Sequence, residues 1–66
     1  MDEIDVLKAK LAILEQQHRD LDDAINALSE QAVRDELQIK RLKKQKLNLR
    51  DQIFDIMDQL NPDIIA

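Results

Sequence analysis

The chain has 66 residues, a net charge of −4, no cysteine, no glycine and a single proline, Pro62. That length allows one domain with a modest core, and the missing cysteines exclude disulfides and thiolate metal sites as sources of stability. A sheet protein would need turn glycines and β-branched or aromatic strands; with Phe54 as the sole aromatic residue, the composition is that of long helices rich in Leu, Ile, Ala, Gln, Asp and Lys.

The start of the chain, Met1-Asp2-Glu3-Ile4-Asp5, is acidic where a secretory signal would be basic. No run approaches the roughly 18 apolar residues that span a bilayer. The expectation is a soluble cytoplasmic protein with no membrane contact.

Ile4, Leu7, Leu11, Leu14, Leu21, Ile25 and Leu28 alternate steps of three and four, with His18 filling the one gap. This is a heptad seam with Ile4, Leu11, His18 and Ile25 at a and the leucines at d. A first helix over about residues 3–31 follows. The phase then breaks. Asp35 with Gln38 three residues on is the sequence signature of a helix start, so a turn is expected over about 32–35, centred on Ala32-Val33-Arg34. The second helix, over about 36–60, carries Ile39, Lys46, Ile53 and Leu60 at a and Leu42, Leu49 and Ile56 at d. Asn61-Pro62 ends it, and 61–66 form a short tail.

Folding at the turn pairs seam positions whose numbers sum to about 67, so that every a meets a d, as antiparallel packing requires. Leu28 then faces Ile39, Leu14 faces Ile53 and Leu7 faces Leu60. On one flank Glu15 falls near Arg50, and Asp22 near Lys43. The expected fold is all-α: an antiparallel, coiled-coil-like two-helix hairpin over residues 1–66, able to associate into a four-helix bundle. A helix running on through residue 33 and pairing with a second chain would make the same contacts. The closed form is favoured because its partner segment is always present at high effective concentration.

The stretch Leu14-Glu15-Gln16-Gln17-His18-Arg19-Asp20-Leu21-Asp22 and, in the second helix, Leu42-Lys43-Lys44-Gln45-Lys46-Leu47-Asn48-Leu49-Arg50-Asp51-Gln52-Ile53 resemble the YdcH-like family. These are small bacterial proteins of unknown function that form helical hairpins. The second stretch, basic residues around a Leu-x-Leu followed by Arg-Asp-x-Ile, is the more specific of the two. The resemblance implies the hairpin and brings no activity with it.

His18 and Lys46 interrupt the two seams about one turn apart, a polar layer that sets register at some cost in stability. The His18 ring is expected to pack across from Leu49 and to reach Asp22 or Glu15. The Lys46 stem covers apolar surface while its ammonium extends to Asp20 or Asp22. A metal site needs three or four ligands, and His18 is the only histidine. A catalytic base needs a nucleophile nearby, and the only hydroxyl, Ser29, lies about three turns away. Neither an enzyme nor a cofactor is therefore expected.

Val6 and Ile13 at outward c positions, Leu47 and Phe54 at b, and Met57 at e widen the apolar stripes beyond what a two-helix seam uses. They are read as an interaction surface. The expected partner is a second copy, as dimer or tetramer, or a helix of another protein. The alternative is a nucleic-acid or nucleoid-associated accessory protein. It would use the basic edge of the second helix, where Lys40, Arg41 and Lys44 stand in a run of six cations without an acid. That run has no aromatic side chain to stack on bases, and the hairpin is expected to place Asp20, Asp22 and Asp23 of the first helix beside it.

Overall fold

The computed structural model describes residues 2–61. Two helices, α1 (Glu3–Ser29) and α2 (Glu36–Leu60), lie against one another along their length. The molecule is an antiparallel hairpin closed within one chain.

Each helix begins where the local chemistry favours a beginning. Glu3 and Asp5 place negative charge in the first turn of α1, where the unpaired N–H groups carry partial positive charge. The N-cap Asp2 makes no side-chain bond there; the Asp2 carbonyl accepts from the Val6 N–H at 3.1 Å. At α2, Asp35 Oδ1 accepts the Gln38 N–H at 3.1 Å, a cap of the kind that contributes about 1 kcal/mol.

The turn departs from expectation. Helix α1 ends at Ser29, two residues early, so the connection runs over residues 30–35. Glu30 stays in the right-handed region with its N–H on the Asn26 and Leu28 carbonyls, and the Gln31 N–H reaches back to the Leu28 carbonyl at 3.3 Å. This tightening of the last turn takes up carbonyls that the helix leaves open. No described residue has positive φ. The reversal is spread over six residues in ordinary backbone regions, which is why it needs no glycine.

The seam is the expected one. Leu7, Leu11, Leu14, His18, Leu21 and Leu28 of α1, and Leu42, Lys46, Leu49, Ile53 and Leu60 of α2, are half-buried, while Ile25, Ile39 and Ile56 are buried. Ile4 is the exception, at 51% exposure. Its register partner falls near position 63, outside the described residues. Of the tail expected over 61–66, Asn61 caps α2 with its N–H on the Met57 carbonyl at 2.9 Å. Residues 62–66 lie outside the described region.

Two helices side by side make a layer, not a globule. The molecule measures 47 × 28 × 14 Å, its thickness close to that of a single helix with its side chains. The radius of gyration is 15.1 Å, against about 11 Å for a compact chain of this length. The accessible surface is 5390 Å², where a compact monomer of this mass exposes about 4,300 Å². No described side chain is fully buried. Domains ordinarily close their core between two layers, and here one layer stands with both faces in water.

Candidate functional site

The polar layer in the seam is built as an ion pair across the hairpin. Lys46 Nζ donates to Asp22 Oδ1 at 2.6 Å, linking α2 to α1 at mid-length. Of the two carboxylates expected within reach of Lys46, Asp22 is the one engaged. Asp20 instead accepts from Gln16 Nε2 at 2.9 Å, one turn away on its own helix. The Lys46 hydrogen bond and charge hold the Asp22 carboxyl below its ordinary value of 3.8; desolvation opposes them, and His18 adds a smaller effect in the same direction as Lys46.

His18 is half-buried where expected, but among the described residues it makes no hydrogen bond to Asp22 or Glu15. Asp22 is engaged by the Lys46 ammonium instead. The ring lies between two shallow depressions, one lined by Lys43, Lys46, Leu47 and Arg50, the other by Glu15, Arg19, Asp22 and Ile53. Among the described residues no group of three or more His, Asp or Glu side chains is placed to hold a metal ion.

Because the folded-state pKa of Asp22 is lowered, its contribution to stability is complete above the unfolded value and disappears as pH falls through the lower folded one. The advantage of wild type over Asp22→Asn should therefore be constant near neutrality and shrink on acidification below about pH 3.8. Paired thermal melts from pH 7 to pH 2.5 measure it. An advantage that grew on acidification would contradict the assignment.

The flank pairs anticipated from register do not form. Among the described residues Glu15 and Lys43 have no ion partner, and Arg50 meets its own neighbour Asp51 at 3.6 Å. The Arg50 guanidinium also lies 5.7 Å from the centre of the Phe54 ring, within cation–π range. Asp22 is paired with Lys46 of the seam rather than with Lys43 on the flank.

The apolar surface residues are exposed, from 37% at Val6 to 58% at Ile13, with Leu47, Phe54 and Met57 between. They do not form one surface. Ile13 lines a groove with Lys10, Gln17, Gln52, Asp55 and Gln59, and Val6 shares its heptad position. Leu47 lines the groove with His18, Lys46 and Arg50 on the other side of the seam; Phe54 stacks on Arg50, and Met57 repeats Arg50 one heptad later. The b and e positions of both helices thus make one broad face, and the c and g positions make the opposite face. Heptad letters carry this division, because b and e flank the seam on one side and c and g on the other. The linear reading had pooled the two groups.

Exposed Leu37 and Val33, at 60% and 88%, add apolar surface at the turn end. Leu37 falls at an outward f position, a signal present in the sequence. Lys40, Arg41 and Lys44 are exposed and without ion partners among the described residues. They occupy the b, c and f positions of α2, so Lys40 shares the face of Leu47, Arg41 lies on the opposite face and Lys44 lies outward between them. Of the acids expected beside this edge, Asp22 pairs with Lys46 and Asp20 accepts from Gln16, and among the described residues none of Asp20, Asp22 and Asp23 makes an ion pair with Lys40, Arg41 or Lys44.

The fold and its seam define a class, the small two-helix hairpin with an interhelical polar layer. A family described as "Protein of unknown function (DUF465)" matches residues 11–57, and the chain belongs to that family, as do the YdcH-like small bacterial helical proteins. The match spans both helices and the turn. No curated protein and no solved structure matches the chain. Among the described residues no helix is long and apolar enough to cross a membrane.

Proposed function

We propose that the hairpin is a non-catalytic protein-interaction module, working by self-association or by docking a helix of a partner protein. The observation that carries this reading is the single-layer architecture: two helices side by side in a layer 14 Å thick, with only Ile25, Ile39 and Ile56 buried among the described residues and large apolar side chains exposed on both faces. A second layer would complete the burial of the half-exposed seam leucines as well as the off-seam residues. Such burial is favourable by roughly 25 cal/mol per Å² of apolar surface.

Phe54→Asp tests it. Phe54 is 57% exposed, so the change leaves the three buried isoleucines in place and the chain helical. Sedimentation over a range of concentrations should show wild-type association weakened at least about tenfold in the variant, since an aromatic side chain is among the largest contributors of interface area. A wild-type mass that stays monomeric at every concentration, with partner capture that Phe54→Asp leaves unchanged, would refute the module.

A further inference from the structure

The geometry points to a second copy of this chain as the occupant of the face bearing Leu47, Arg50 and Phe54, with the two hairpins related by a two-fold axis parallel to their helices. This rests on the interaction-module reading and specifies its partner and arrangement. The face is electrically divided. Its α1 side presents two acids, Glu15 and Asp22, with one cation, Arg19, while its α2 side presents Lys43, Lys46 and Arg50 with no acid among them. Within one hairpin only Lys46 and Asp22 meet; Glu15 and Lys43 are left without ion partners among the described residues.

A two-fold axis lying between the stacked faces and along the helices sets each α1 over the α2 of the other copy. It leaves heights along the helices unchanged. The level matching within a hairpin, position numbers summing to about 67, therefore also holds between copies. Glu15 then lies over Arg50 of the other copy, Asp22 over Lys43, and Phe54 over Ala12. Arg19 lays its aliphatic stem over Leu47. Ala12 repeats Arg19 one heptad earlier and is exposed on the same face, so a large side chain meets a small one, as close packing between layers requires. Arg50 can serve Glu15 as well as the Phe54 ring, because its guanidinium carries five N–H donors and its contact with Asp51, at 3.6 Å between exposed side chains, is weak enough to be shared.

The other two-fold choice, perpendicular to the helices, stacks α2 on α2 and gathers the cations of both copies into one strip. The opposite face offers no such division of charge: beside amides and seam side chains, its grooves carry Lys10 and Asp20 on α1 and Asp55 on α2, so no strip of cations stands against a strip of acids. In extent the chosen face is sufficient. At 47 by 28 Å it exceeds the roughly 800 Å² per partner of a standard specific interface.

Two full-length variants, Glu15→Arg and Arg50→Glu, test the arrangement by sedimentation and native mass spectrometry, with circular dichroism to confirm that each remains helical. Each alone sets like charges together twice per dimer and should weaken association at least about tenfold. Mixed in equal amounts they should form a heterodimer within a few-fold of wild-type affinity, because both of its Arg–Glu contacts are then of opposite sign. An intramolecular pair would be restored only by carrying both changes on one chain, never by mixing. Wild-type and Phe54→Asp chains behaving as above, with no rescue on mixing, would overturn this arrangement and leave the module standing. A strictly monomeric wild type would overturn self-association altogether.

Discussion

Ile39→Ala should unfold most of the hairpin at room temperature when measured at low micromolar concentration. Ile39 is 5% exposed, one of three buried side chains in the described structure, and register sets it opposite Leu28 at the closed end. Truncating a buried isoleucine to alanine costs about 2–5 kcal/mol. A single core in a chain this small rarely supplies more than about 3–5 kcal/mol, so the loss is comparable to the whole. Alanine is the better helix former, which makes any loss of helix a tertiary effect. Leu37→Ala, two residues earlier and 60% exposed, is the matched control and should change the melting temperature little. Thermal melts followed by circular dichroism decide it. A drop of less than about 4 °C for Ile39→Ala, equivalent to under about 1 kcal/mol in a domain of this size, would mean that the seam does not hold the fold.

Lys46→Leu should act in the opposite direction. Lys46 occupies a core position of the heptad, and its side chain is only 34% exposed, so a leucine there would bury most of its surface. Full burial of leucine contributes about 1.5–3 kcal/mol. The ion pair that is lost joins side chains 34% and 45% exposed, and such pairs contribute about 0–1 kcal/mol. The balance favours leucine by about 1 kcal/mol, a rise of roughly 4–8 °C. The expected loss is in uniqueness. With the cross-helix pair gone, alternative registers and larger assemblies lose an electrostatic penalty. Sedimentation should show a broader distribution of species than wild type at equal concentration. A lower melting temperature for Lys46→Leu would show that the Lys46–Asp22 pair stabilises the hairpin outright.

These two substitutions bracket what the linear pattern conveys. Seam membership was legible because helical periodicity is a property of the chain itself: residues three and four apart share a face wherever the helix lies. The one exception, Ile4, is exposed, and its register partner near position 63 lies outside the described residues. The start of α2 was legible for the same local reason, since Asp35 and Gln38 are close enough in sequence to bond without help. The end of α1 was less so. It depends on how the last carbonyls are taken up by Glu30 and Gln31, and no glycine marks the place.

Charge pairing was legible in kind and not in partner. Opposite signs along the flanks suggested Glu15 with Arg50 and Asp22 with Lys43, but flexible side chains choose among several acceptors within a few ångströms. Sequence supplies the candidates; distance selects among them. Lys46 reached Asp22 at 2.6 Å, and Arg50 settled on Phe54 and Asp51.

By itself, then, the sequence determined the helices, their register and the polar layer, because each follows from spacing along one chain and from the requirement that a meet d. The tertiary structure decided three further matters: that the turn closes within the chain, that Lys46 takes Asp22 of the two acids expected in reach, and that Glu15 and Lys43 stay without ion partners among the described residues. Those outcomes depend on distances between side chains once two helices lie together, and spacing along one chain does not contain them.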